Sequence, residues 1–351
     1  MSSKLSHGRI RRFCAAVLAS FALLATSACG SNTSSKADAF ASSDGFFPVS
    51  IKHAYGTTKF TQAPERIVTV GWGTQDILLD LGVVPVSMPK QADFGVIVDG
   101  MLPWTKDKLD QMNVSKADMP QLHDESDSID VEAIAAAEPD AIIGLQSGMT
   151  EEDYRTLSKI APTVAWQVAS WGDPWRSMTK TVGRILGKTS QAEQLIKDTE
   201  QTIADETAKY PQIKGKTAAV MYFDAAKLSS FSLYTQNDVR PQYLNDFGFE
   251  TPESVKRATK TTKNFYKDYS SEQADQFDDV DVIVAYGSSD LLSALQKDPL
   301  LSKLPAVKRG SVVLIDTTSK MGNALDPTPL IVRGTAAEYA KMLGEAAAKV
   351  S

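Results

Sequence analysis

DVEAIAAAEPDAIIGL, residues 130–145, decides the fold. Asp130 stands where a helix N-cap would, with Glu132 in the first turn. The helix runs through Ala137 and Pro139-Asp140 stops it. Ala141-Ile142-Ile143-Gly144-Leu145 then reads as a short apolar strand of the kind buried on both faces. The same grammar returns in the second half of the chain. Ser270 with Gln273 makes a capping box, the helix ends near Phe277, and Asp281-Val282-Ile283-Val284-Ala285 is the strand. Glu132 precedes Asp140 by eight residues and Glu272 precedes Asp281 by nine. Strands alternating with helices, in two related copies, predict two α/β lobes with parallel sheets.

Outward from the first copy, Pro64-Glu65-Arg66 leads into Ile67-Val68-Thr69-Val70-Gly71, a buried strand that breaks at glycine. Thr74–Leu81 reads as a helix with Gly82 just past its end. Val83–Val86 is a second strand candidate. Val49–Ala54 and Thr57–Phe60 flank Tyr55-Gly56 as a hairpin. Between the two copies, Asp173 is placed to N-cap a helix with Pro174 at its first position. Met178, Val182, Ile185 and Leu186 form its apolar stripe. Ser190 with Glu193 reads as another capping box, opening a helix to about Lys209. Roughly 19 residues at 1.5 Å each span about 29 Å, enough for one rigid strut between two lobes. Beyond it, Thr217–Phe223, Phe231–Tyr234, Val282–Tyr286 and Val312–Ile315 are strand candidates, and Thr328–Val350 is a closing helix.

At the other end, Lys4, Arg9, Arg11 and Arg12 precede an apolar run from Phe13 to Ala25, too short to span a bilayer. Ala25-Thr26-Ser27-Ala28-Cys29 resembles a bacterial lipobox, with Thr26 where leucine is usual. Cys29 is therefore the expected lipidation site; the alternative is an ordinary secretory signal with an incidental cysteine. The expected organisation is a lipoprotein signal peptide (1–28), a flexible Ser/Ala-rich tether (29–47), an N-terminal lobe (48–172), a helical segment with the inter-lobe helix (173–212) and a C-terminal lobe (213–351). The only other cysteine, Cys14, lies in the signal, so no disulfide is available to the domain. Removing the signal's four unbalanced basic residues takes the formal charge from −6 to −10. An exported, acidic protein is a poor partner for nucleic acid.

Three stretches together resemble the substrate-binding lipoproteins of iron-siderophore, haem and cobalamin ABC importers. They are Pro64-Glu65-Arg66-Ile67-Val68, the 130–142 unit quoted above, and Leu157-Ser158-Lys159-Ile160-Ala161-Pro162-Thr163-Val164. Leu186-Gly187 and Gln242-Tyr243-Leu244-Asn245-Asp246-Phe247-Gly248-Phe249 add to the resemblance, which covers nearly all of residues 48–351. It implies the class III architecture: two Rossmann-like lobes joined by one long α-helix, with the ligand in the cleft between them. It also implies an exported monomer held at the membrane by its lipid. Such a receptor carries a ferric siderophore to an ABC permease driven by a cytoplasmic ATPase. The alternatives are a haem receptor of the same fold, in which His123 or a cleft tyrosine is an axial ligand, and a non-transport adhesion or regulatory lipoprotein.

Ligands of open α/β sheets sit beyond the carboxyl ends of the strands. Trp72, directly after the first strand, is the first expected contact. Trp104, Trp171 and Trp175 lie in loops or at a helix start; Trp175, beside Pro174, suits inter-lobe packing. Tyr222, Tyr234 and Tyr286 end strands of the second lobe and divide between cleft and core. Arg240 follows Gln236-Asn237-Asp238-Val239 at a helix start, where the resemblance implies an arginine facing an anionic chelate; a surface ion pair is the alternative. His123 and Gln146 are further candidates, His123 by resemblance to an arginine that contacts hydroxamate. The resemblance also implies that one glutamate per lobe docks on permease arginines, and Glu132 and Glu272 match. Complementation of a helix dipole is the alternative for both.

A resident metal is not expected. His53 and His123 are the only histidines outside the signal, and no cysteine cluster exists. Iron is expected to arrive as an iron(III)–siderophore complex, with no separate cofactor. Gly183-Arg184-Ile185-Leu186-Gly187-Lys188-Thr189 has one residue too few between its glycines for a phosphate-binding loop and follows a helix. No Gly-x-Ser-x-Gly elbow occurs. An enzyme is not expected.

Overall fold

Arg66 and Asp140 tie the two halves of the first repeat together. Asp140 accepts the backbone N–H groups of Glu65 and Arg66, both at 2.8 Å, and the Arg66 guanidinium donates to the carbonyls of Ala137 and Glu138. One acid thus fixes the start of the neighbouring strand, while one arginine closes the preceding helix. Asp281 plays the first part in the second repeat, accepting Thr217 N–H at 3.0 Å.

The computed structural model describes residues 47–91 and 95–350; the expected signal, Cys29 and nearly all of the tether fall outside them. The described residues form one compact unit. The chain opens with the hairpin β1 (Val49–His53) and β2 (Gly56–Phe60). Then come β3 (Ile67–Thr69), α1 (Thr74–Asp80), β4 (Ser87–Pro89), α2 (Pro103–Gln111), β5 (Gln121–His123), α3 (Val131–Ala136), β6 (Ala141–Ile143), α4 (Glu151–Leu157) and β7 (Thr163–Val164). Two helices lead across, α5 (Trp175–Ile185) and α6 (Thr189–Thr207). The second lobe holds β8 (Ala218–Phe223), β9 (Ser230–Tyr234), α7 (Val239–Asp246), α8 (Glu253–Lys260), β10 (Tyr266–Ser270), β11 (Val282–Tyr286), α9 (Ser289–Lys297), α10 (Pro305–Arg309), β12 (Val312–Ile315) and α11 (Pro329–Ala347).

The first sheet has the order β5-β4-β3-β6-β7 and is parallel throughout. Its central strands are buried on both faces, as their apolar sequences require. The expected strand Val83–Val86 is displaced to Ser87–Pro89. Pro85 has no N–H to give, so the central ladder begins after it, at the bonds of Val86. The second sheet has the order β10-β9-β8-β11-β12. Its β8, β11 and β12 are parallel, but β9 runs antiparallel to β8, and β10 antiparallel to β9. This departs from the all-parallel expectation. Only the short 224–229 link joins β8 to β9, and a parallel return needs a dozen residues or more.

Asp130 caps α3 through Ala133 N–H, and the Ser270–Gln273 capping box is present. That second turn, Ser271–Phe277, is a 3-10 helix rather than an α-helix. Two expected caps are replaced. Pro174, not Asp173, stands at the N-cap of α5, because the Asp173 carboxylate accepts the N–H groups of Gln167 and Val168. Lys188 precedes α6, so Ser190 lies inside its first turn.

α6 has 19 residues, about 29 Å at 1.5 Å each. Its Ala192 belongs to the first lobe's core, while Ile196 and Ile203 belong to the second lobe's. A second connection lies beside it. On α1, Asp76 accepts Thr328 Oγ1 at 3.1 Å, at the start of α11, and Asp80 pairs with Arg333. Two acids four residues apart therefore pin the closing helix to the first lobe.

Candidate functional site

The segments after β3, β7 and β12 and the carboxyl-end tyrosines of β8 and β11 meet at a cavity of about 430 Å³ between the lobes. On the first lobe, the chain turns at Gly71, where φ is 79°. A Cβ there would sit 2.3 Å from the Gln146 carbonyl oxygen, so only glycine lets this turn lie against the neighbouring loop. The same carbonyl accepts Trp72 N–H at 2.7 Å and sets the indole on the cavity wall. Trp171, at φ 60°, also lines the cavity, and its indole packs on Gly148, where a Cβ would come within 2.7 Å.

The second lobe contributes Tyr222, Tyr234, Phe265, Tyr286 and Arg240. Tyr222 pairs with Ser232, two residues before Tyr234, so both tyrosines stand on one face of the sheet. Asp238 caps α7 by accepting Arg240 N–H at 2.8 Å. Its carboxylate also takes the Arg240 guanidinium, Nε to Oδ1 at 2.8 Å and Nη2 to Oδ2 at 2.7 Å. The guanidinium lies 4.2 Å from the centre of the Tyr234 ring. Burial works against the charge of Arg240, but the bonds to Asp238 outweigh it and its pKa is raised. Burial pushes the Tyr286 hydroxyl up to about 12 and raises Tyr234 as well, so both are neutral donors at physiological pH.

The floor joins the two lobes. Gln146 Nε2 donates to the Trp171 carbonyl at 3.0 Å and to Asp326 Oδ1 at 3.2 Å, and its Oε1 accepts Asp173 N–H. Burial pushes Asp326 up to about 6, with Arg240 pulling it down and Asp238 pushing it up.

Of the sequence candidates, Trp72, Trp171, Tyr222, Tyr234, Arg240 and Tyr286 line the cavity. Trp104 does not: it is buried in the core, its indole N–H donating to Asp76 at 3.1 Å. His123 is buried beneath the wall, with Nδ1 against Ser87 Oγ at 2.8 Å and Nε2 against Glu125 at 3.0 Å. The other oxygen of Glu125 accepts Gly71 N–H, so His123 supports the Trp72 turn instead of entering the cavity. Trp175 is buried, with its indole N–H on Asp246. Phe265, Thr317, Gly322, Asn323 and Asp326 also line the cavity and were not singled out from sequence. Phe265, Thr317 and Asp326 lie on irregular segments and Gly322 and Asn323 on a single 3-10 turn, none with a periodic signal; Asp326, in Asp326-Pro327-Thr328-Pro329 before a helix, carried the one usable hint. Glu132 and Glu272 are exposed, each in the first turn of its helix. Among the described residues, no cluster of three or more His, Cys, Asp or Glu is arranged for a metal.

Two α/β lobes, a rigid helical connection and a ligand-sized cavity at the ends of the strands define a bilobal binding protein. The chain belongs to the periplasmic binding protein family, whose model matches residues 67–318. It is a substrate-binding protein and not an enzyme. Its fold matches that of PiaA from Streptococcus pneumoniae TIGR4, solved in complex with ferrichrome, with a TM-score of 0.81 and 40% identity. That alignment covers 86% of this chain and 99% of the other. Among curated proteins, the Fe(3+)-citrate-binding protein YfmC of Bacillus subtilis is 25% identical over 73% of this chain and 75% of its own length. The petrobactin-binding protein YclQ of the same organism is 23% identical over 88% and 92%.

Proposed function

We propose that this protein is a lipid-anchored extracytoplasmic receptor that captures a ferric siderophore and hands it to an ABC permease for iron import. The observation that carries the reading is the inter-lobe cavity, walled by Trp72, Trp171, Tyr222, Tyr234, Phe265 and Tyr286 together with Arg240. Aromatic faces and tyrosine hydroxyls suit a chelate that presents flat, apolar surfaces and ligand oxygens. No metal ligand is needed, because the chelator fills the iron's coordination shell. The relatives support this reading: one is named for ferric citrate, one for petrobactin, and one was solved with ferrichrome.

In this proposal the anchor is a diacylglyceryl group on Cys29, and the tether and lobes keep the boundaries expected from sequence. Glu132 and Glu272 are the permease contacts, because each is exposed in the first turn of its helix and neither lines the cavity. The test is uptake of iron-labelled siderophore by cells lacking the gene. Uptake should fall sharply and return with the wild-type gene. Cys29→Ala should restore binding but not membrane retention, read by labelled-palmitate incorporation and by protein shed into the medium. Unchanged uptake in the deletion strain would refute the receptor role.

A further inference from the structure

Among the described residues, Arg240 and Asp326 are the formally charged side chains lining the cavity. Behind Arg240 lies Asp238, whose side chain is fully buried and whose two oxygens already hold the guanidinium. The one cation is therefore answered by one carboxylate and faced by a second. Burial raises Tyr234 and Tyr286 further above their already neutral range, and the remaining lining is uncharged: aromatic rings, Thr317, Gly322 and Asn323.

Exposed apolar side chains lie near these segments in the chain. The exposed large hydrophobic side chains among the described residues are Val96, Val98, Val168, Tyr222 and Tyr266. Tyr222 lines the cavity, Tyr266 follows Phe265, and Val168 is three residues before Trp171. Val96 and Val98 follow Gly95, whose N–H bonds to the Thr317 carbonyl at 2.7 Å.

A polyanionic guest entering here would lose water, meet Asp326 and find no cation uncommitted. Three hydroxamates, each a monoanion, neutralise iron(III); three catecholate dianions leave a charge of −3.

We infer that Asp326, together with Asp238, makes the cavity selective for ferric chelates without net negative charge, of the tris-hydroxamate kind, against polyanionic catecholate and carboxylate complexes. The inference rests on the receptor reading and names the substrate class of the same site. Arg240 then serves as an oriented hydrogen-bond donor, with its charge balanced inside the protein, rather than as an anion trap.

The test is calorimetric titration of the protein, purified from membranes in detergent, with ferrichrome and with ferric enterobactin at neutral pH. Wild type should bind ferrichrome at least about a hundredfold more tightly. Asp326→Asn, whose amide oxygen still accepts from Gln146, should narrow that ratio by about tenfold. In wild type, added salt should narrow it as well, which a preference for shape alone would not show. Equal or tighter binding of ferric enterobactin by wild type would overturn the charge filter and leave the receptor reading standing. A ratio insensitive to both salt and Asp326→Asn would also overturn it. Failure to bind ferrichrome would overturn the filter, and failure to bind any ferric siderophore would overturn the receptor reading as well.

Discussion

Gln146 of the first lobe donates to Asp326 of the second at 3.2 Å, across the floor of the cavity and 180 residues apart in sequence. The same amide orders Trp171 through its carbonyl and accepts Asp173 N–H. One side chain thus positions a wall and joins the lobes. Gln146→Leu keeps the volume and removes all three bonds, leaving Asp326 and the Trp171 carbonyl without that partner. A net hydrogen bond contributes about 1 kcal/mol. Ligand affinity should fall by about five- to tenfold, with a modest loss of melting temperature, read by titration and thermal denaturation.

Arg240 and Asp238 make a sharper case. Arg240→Ala strands a fully buried carboxylate, a type of loss that costs about 3–5 kcal/mol, partly recovered here by the α7 N-cap bond. Stability should therefore fall along with affinity. Removing both charges with Arg240→Ala and Asp238→Asn should restore much of the stability but not the affinity. Urea melts of the two singles and the double measure the coupling; strict additivity would contradict a linked pair.

The tryptophans divide by position. Trp72→Ala and Trp171→Ala should each weaken ligand binding and ligand-induced quenching, while leaving the fold intact. Trp104→Ala should keep the ligand response and lower stability by about 3–5 kcal/mol, because it empties a core site and removes a bond to Asp76. Single-tryptophan variants titrated side by side separate these outcomes.

Much of this layout was legible in sequence where the signal is local. Asp130 and Ser270 are caps whose partners lie three residues away or nearer. Tyr222 and Tyr286 are readable because a strand's end locates its side chains. Trp104 and His123 were not, since their directions are set by Asp76 on another helix and by a Ser87–His123–Glu125 chain of bonds. Ser190 and Asp173 show the opposite failure: good local cap chemistry is overridden when tertiary contacts start the helix elsewhere. The antiparallel β9 was implicit in the short 224–229 link, a topological constraint that strand propensity does not register.

Asp76 carries a pH signature. Burial pushes its carboxyl up to about 7, against bonds from Thr105, Thr328 and Trp104 that pull it down. A carboxyl raised in the folded state binds its proton more tightly there than when unfolded. Its contribution therefore favours folding at low pH and is lost as pH rises through about 7. Asp173 and Asp326, each pushed up to about 6 by burial, act in the same sense. The melting temperature should be higher near pH 5.5 than near pH 8. A tenfold difference in proton affinity between the folded and unfolded chain corresponds to roughly 1.4 kcal/mol. Asp76→Asn should flatten that slope; a slope unchanged by the substitution would remove Asp76 from the account.

The docking assignment is tested in cells. Glu132→Ala with Glu272→Ala should leave ligand affinity intact and strongly reduce uptake of iron-labelled siderophore, each single substitution being milder. Normal uptake by the double variant would withdraw both residues from the permease contact.

The most direct measurement is tryptophan quenching of the purified protein by ferric siderophores, iron-free siderophores and haemin. Trp72 and Trp171 stand on the cavity wall as reporters. At least one ferric siderophore should quench saturably with a Kd of about 1 µM or tighter, and the response should be lost in the Trp72→Ala, Trp171→Ala double variant. Absence of saturable quenching by every ferric siderophore, with haemin binding and a Soret band in its place, would contradict the account.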